Sequence, residues 1–243
     1  MMNSVMSLFR ICGIFIKEQF KEPIQVFWIM LSPCLLFYFH AYGNGLLEMN
    51  YLEVSSWYYS YVAASVALFG FSFYIVGRRE SGFIRSFVYT RKAKLLFLGA
   101  QFVSYLLVAL VYFSAFYLAT ASLFDGYNLD EYFFLLIRFS LCFLFFCSFG
   151  IALSLLPLNF QNANTIISIS LFSMIGLAFT GHLSGSEYLQ IANHANPFQY
   201  AVEIMRSKTS AFSQYSLYVI PLYMASNVMG VMMFRVNPVW SRY

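Results

Sequence analysis

The 243 residues are 60% hydrophobic and 21% aromatic but only 10% charged, with a formal net charge of +4. A soluble domain carries about 25% charged residues, so there is too little polar surface to cover a water-exposed globule, and a cytosolic enzyme is excluded. Collagenous and disordered chains are excluded as well, because 13 glycines and 6 prolines are too few and the apolar content is far too high.

Residues 1–22 read as an interfacial helix. Between Met6 and Glu22, Leu8, Ile11 and Phe15 share one helical face, while Arg10, Lys17 and Lys21 recur on the other. That pattern fits a helix lying flat at a membrane surface, or a simple positive anchor. Pro23 separates it from the first apolar run, since proline suits a helix start and opposes a helix interior. Crossing the hydrocarbon core as a helix takes about 20 mostly apolar residues. Six stretches reach that length: 24–42, 57–77, 95–123, 132–156, 164–183 and 217–234. They predict an all-α membrane protein with one transmembrane domain over residues 1–243. The first run also has the flanks of a secretory signal, but it exceeds the usual apolar core of about 7 to 15 residues. Strands of a membrane barrel are excluded by the missing alternation.

Lysine and arginine placement predicts orientation, because cytoplasmic loops keep an excess of them. Arg10, Lys17 and Lys21 precede the first span, Arg78, Arg79, Arg85, Arg91, Lys92 and Lys94 lie between the second and third, and Arg235 and Arg242 follow the last. The opposite loops carry Glu48, Glu53, Asp125, Asp130 and Glu131 and no cation. Both termini are therefore expected in the cytoplasm. The net charge records topology, and no nucleic-acid partner is expected.

The loop at 78–94 is the most charged stretch, yet Phe83, Ile84, Phe87 and Val88 recur at the spacing of a short amphipathic helix. Such a helix docks on another protein or on lipid headgroups; alternatively the loop holds anionic lipid at about 1 kcal/mol per cation. Within the fourth span, Arg138 is expected to snorkel outward towards Asp130 or Glu131, or else to contact cargo. The fifth span carries Asn164, Thr165, Ser168, Ser170 and Ser173, which suit either helix pairing or a cavity wall. Cys12, Cys34, Cys142 and Cys147 read as buried apolar residues. His40, His182 and His194 are scattered, so no metal is expected, and Ser184-Gly185-Ser186 beside His182 is the weak hint of a hydrolase.

Taken in order, an interfacial helix, two spans, Arg79-Glu80-Ser81-Gly82 opening a basic loop, three spans and Asn196-Pro197 before a last span, the chain resembles the permease subunits of type-2 ATP-binding-cassette exporters. In that family the loop after the second span opens with Arg-Glu-x-Gly and forms a coupling helix that seats in the ATPase subunit. The resemblance assigns this role to Arg79, Glu80, Gly82, Phe83, Arg85, Phe87 and Arg91. Of the family's Pro-x-Ser/Thr-Arg element before the third span, only Thr90-Arg91 is kept. The family also places two short re-entrant helices before the last span, which the resemblance puts at 186–208 with Asn196, Pro197, Glu203 and Arg206 at the gate. Its substrate path follows the second and fifth spans, here Phe69 and Phe73 with Asn164, Thr165, Ser168, Phe172 and Phe179.

The phosphate-cradling pattern G-x-x-x-x-G-K-[ST] is absent, because Phe83 and Ile84 follow the Gly77 to Gly82 spacing. The resemblance thus implies a separate cytoplasmic ATPase in two copies, a second permease copy as homodimer partner, surrounding membrane lipid and no cofactor. It implies export across a bacterial inner membrane by alternating access, with a modified peptide, antibiotic or drug as cargo, or alternatively a lipid or polysaccharide. An ion-coupled secondary transporter would call for acidic residues inside the spans, and none lies centrally.

Overall fold

In the computed structural model, residues 2–21, 23–43, 50–84, 90–124, 126–183, 187–207 and 209–233 are described. Among them every regular element is helical: α1 (Met2–Gln19), α2 (Pro23–Gly43), α3 (Tyr51–Ser65), a π segment (Val66–Ser72), α4 (Phe73–Glu80), α5 (Arg91–Thr120), α6 (Leu129–Leu155), α7 (Phe160–Leu183), α8 (Glu187–His194), α9 (Pro197–Arg206) and α10 (Thr209–Met233). By length and composition, Tyr51–Glu80, Arg91–Leu123, Leu129–Leu155, Phe160–Gly181 and Phe212–Met233 are able to cross a membrane, and α2 adds the shorter apolar stretch Phe27–Gly43. The chain is a multi-pass, all-helical membrane protein.

The helices begin earlier than the apolar runs because polar caps, not hydropathy, start them. Asn50 accepts from Leu52 N, Thr90 from Ala93 N, and Asn128 from Asp130 N and Glu131 N. The second span, expected at 57–77, is thus part of a continuous rod from Tyr51 to Glu80.

That rod and α6 form the middle of the bundle. Of the rod's most apolar stretch 72% is buried, against 22% for α7 and 17% for α10, so the last two stand at the edge. Tyr59, Phe113, Phe116 and Phe139 fill the core between α3, α5 and α6. The hydroxyl of Tyr51 meets those of Tyr59 at 2.7 Å and Thr120 at 2.9 Å, which satisfies these buried groups. Around the π segment the helices approach at small residues. A Cβ on Gly70 would lie 2.6 Å from the Tyr105 ring, one on Gly150 would lie 3.1 Å from Ser72, and Ser72 Oγ donates to Gly150 O at 2.8 Å. The first run joins this bundle as α2, with Phe37 and Ala41 fully buried and Tyr38 donating to Ala119 O.

The face that α1 buries is the expected one, with Cys12 and Gln19 added to it, and Arg10, Lys17 and Lys21 are exposed on the other. Cys12, Phe15 and Gln19 are buried and Ile11 is half-buried, whereas Leu8 belongs to residues whose side chains are not described. Phe15 packs edge-on against Phe97, and Tyr105 donates to Gln19 Oε1 at 2.9 Å. The polar Gln19 is thus drawn inward by a hydroxyl on α5, a partner that periodicity alone does not reveal.

Candidate functional site

Two polar clusters sit at opposite ends of the bundle, and the basic one gathers around the end of α4. The chain leaves that helix by a turn in which Ser81 N donates to Gly77 O at 2.9 Å and Gly82 N to Arg79 O at 3.1 Å. Gly82 has φ +75°, a left-handed conformation that glycine adopts without cost.

Arg79 points inward and is 1% exposed. A buried guanidinium must be fully hydrogen-bonded to be tolerated. Its Nη1 donates to Ser154 O at 2.8 Å and Leu156 O at 3.1 Å, its Nη2 to Leu158 O, and its Nε to Glu80 Oε1 at 3.1 Å. These carbonyls belong to the end of α6 and to the connector into α7, where Pro157 forces Leu156 out of helix (ψ 148°) and Leu158 N folds back to Leu156 O at 2.8 Å. The positive charge lies at the negative end of the α6 dipole.

Arg78 faces the other way. It pairs with Glu18 of α1 and stacks on Phe15 at 3.9 Å and on Phe83 at 5.1 Å. Together the two arginines tie the end of the rod to α1 on one side and to the α6–α7 connector on the other.

Of the residues expected on a docking surface, Arg79 and Glu80 are therefore turned inward, because each satisfies the other's charge, and Gly82 supplies the turn. Phe83 and Arg91 are exposed, and Arg85 and Phe87 lie outside the described residues. Thr90 caps α5, its Oγ1 accepting from Ala93 N at 3.1 Å. Thr90 thus has a local purpose as the start of that helix.

At the other end, α8 and α9 are too short to cross a membrane. Asn196 joins them while 2% exposed. Its Oδ1 accepts from Phe198 N at 3.1 Å, and its Nδ2 donates to Met174 O of α7 at 2.7 Å, with Pro197 in the first turn of α9. Gly181 lets α8 close on α7, since a Cβ there would lie 2.7 Å from that of Asn193. The inner face of α9, Phe198, Ala201, Val202 and Met205, is buried. Arg206 ends that helix by donating to Ser56 Oγ at 2.9 Å and Glu53 O at 3.1 Å. Burial pulls its guanidinium down from the ordinary value, and Glu53 and Glu203 work in the opposite direction. Glu203 itself is half-buried and accepts from Gln199 Nε2 at 3.4 Å.

Arg138 does not snorkel towards Asp130 or Glu131. It is 8% exposed and donates to Met205 O at 3.1 Å, at the carbonyl end of α9. Sequence reasoning missed this partner because it lies 67 residues away.

The expected path residues are not brought together within one chain. Phe69 is half-buried against the core, and Phe73 stacks on Phe160 at 4.3 Å. Asn164, Thr165, Ser168, Phe172 and Phe179 all lie on the outward face of α7, opposite the buried Ala163, Ile167, Leu171 and Ala178. Gln161 extends the same outward face. Among the described residues no three His, Cys, Asp or Glu side chains gather to hold a metal ion.

No family model matches the chain. It is similar to Protein McbE of Escherichia coli, at 28% identity over 237 residues, which cover 94% of this chain and 96% of that protein.

Proposed function

We propose that the chain is the permease subunit of an ATP-binding-cassette exporter, driven by a separate ATPase and working as a pair of copies in a bacterial inner membrane. The observation that carries this reading is the wiring of the basic end. One short loop is joined through Arg78 and Arg79 to α1, to the end of α6 and to the connector into α7, so force applied there reaches several spans at once. A membrane protein without a phosphate-binding motif has use for such an arrangement when a cytoplasmic motor pushes on it.

The outward face of α7 supports the paired copies. Gln161, Asn164 and Ser168 are exposed on a helix long enough to span a membrane, and polar groups there are better met by a facing copy or a water-filled path than by lipid; Thr165, on the same face, donates to Gln161 O at 3.1 Å. Phe172 and Phe179 on the same face suit an amphipathic cargo such as a modified peptide, antibiotic or drug. The Asn196-Pro197 turn, bonded to Met174 O, serves as the outer gate, and Arg206 fastens the far end of α9 to Ser56 and Glu53. The chemistry of ATP hydrolysis belongs to the partner, and the chain is not itself an enzyme.

The test is co-purification with a cytoplasmic ATP-binding-cassette ATPase co-expressed from the same genome. The wild-type chain is expected to retain the ATPase in detergent, and substitution of exposed Phe83 and Arg91 together by Asp is expected to release it while membrane insertion is unchanged. Retention by the double variant would remove the docking role from this loop.

A further inference from the structure

A cleft of about 340 Å³ opens between α1, α4 and the start of α7, apart from the polar turn at Asn196 and from the outward face of α7. Clefts that hold small ligands span about 300–1,000 Å³. Its lining is graded along the rod: Phe73, Tyr74 and Gly77 lie towards the middle of the bundle with Phe160, whereas Arg78, Ser81 and Glu18 lie at the basic end. From Phe73 to Ser81 the rod rises about 12 Å. A molecule seated lengthwise therefore meets rings at one end and charges at the other, at the depth where membrane changes from hydrocarbon to headgroup.

The charged end has unused bonding capacity of both signs. Arg78 lines the cleft with a side chain nine-tenths buried, and of its guanidinium nitrogens only Nη2 is spent on Glu18. Glu18 accepts through Oε2, and its side chain is 43% exposed, with Oε1 left over. The pair is neutral as a whole. An anion alone would be attracted by Arg78 and repelled by Glu18, whereas a group carrying phosphate and ammonium satisfies both, with the phosphate on the cleft-lining edge of the Arg78 guanidinium and the ammonium on Glu18 Oε1. A primary ammonium brings three N–H donors to that carboxylate, and a quaternary one brings none.

We infer that this cleft binds a phospholipid with a phosphoethanolamine headgroup, its acyl chain lying over Phe73 and Phe160. The lipid would fasten α1 to the first turn of α7 beside the loop.

The test uses the purified full-length chain in detergent with phosphatidylethanolamine, phosphatidylcholine and phosphatidylglycerol of identical acyl chains, read by native mass spectrometry. Wild type is expected to retain phosphatidylethanolamine with about tenfold or greater preference. Glu18→Gln, whose amide oxygen still accepts from Arg78, is expected to lose that preference while still unfolding in one cooperative transition in lipid-free detergent, at a lower midpoint. Phe160→Trp, which fills the apolar end, is expected to lower retention of every lipid, and keeps the inference open to refutation should E18Q fail to fold. Equal retention of the three headgroups by wild type, or a preference that survives in folded E18Q, overturns the site. Displacement of the lipid by equimolar glycerophosphoethanolamine would show a soluble ligand and overturn the assignment to membrane lipid. No ATPase or cargo is present, so the outcome is independent of the permease reading.

Discussion

A guanidinium that is 1% exposed has no water to solvate it, so Arg79 is stable only while its carbonyl partners stay in place. It is a positioning residue: it fixes where α6 ends and α7 begins relative to the rod. Glu80 neutralises it from the adjacent position at 3.1 Å. Arg79→Gln loses the charge and most of the donors, and is expected to cost about 3 kcal/mol of stability, the scale seen when one partner of a buried ionic cluster is removed. The matching functional expectation is that an Arg79→Lys chain, which keeps the charge but not the fork of donors, still binds the ATPase yet couples hydrolysis to transport poorly. Glu80→Lys sets a second cation against Arg79 and is expected to release the ATPase. Thermal unfolding, co-purification and transport per ATP hydrolysed separate these outcomes, and unchanged coupling in Arg79→Lys would reduce Arg79 to a stabilising role.

At the level of elements, two contacts hold the short helices α8 and α9 against α7. Gly181→Ala places a methyl 2.7 Å from Asn193 Cβ and forces α8 away. Asn196→Ala removes the cap of α9, worth about 1 kcal/mol, together with the bond to Met174 O. Both are expected to raise the reactivity of a cysteine placed at Ala201, which is fully buried in the native packing; an unreactive cysteine in both backgrounds would show that the turn does not control this packing. The spans, the amphipathic first helix and the Asn-Pro turn were legible in the sequence, because apolar length, helical periodicity and proline geometry are local properties. The inward turn of Arg79, the Met205 partner of Arg138 and the burial of Gln19 were not. Each depends on a carbonyl or hydroxyl that folding brings from a distant helix, so charge alone could not say which way these side chains point. The π segment was equally hidden, since nothing in the sequence of Val66–Ser72 marks it, and the close approach of neighbouring helices at Gly70 and Gly150 is a tertiary feature.

At the scale of the molecule, the contrast between a buried rod and exposed edge helices gives α7 its meaning. If two copies face each other across that helix, Thr165→Cys or Phe172→Cys is expected to form a cross-link between copies in membranes, whereas Leu107→Cys, exposed on α5, is expected to form none. Equal cross-linking at all three positions would point to random collision. The central claim is that this chain is a gate moved by a motor it does not contain. Its most direct test is reconstitution of the purified chain in liposomes, with and without the ATPase that co-purifies with it, scoring cargo accumulation against a gradient. The account predicts uphill movement only when the ATPase, magnesium and ATP are all present. Uphill movement by the chain alone, driven by an ion gradient, would contradict it.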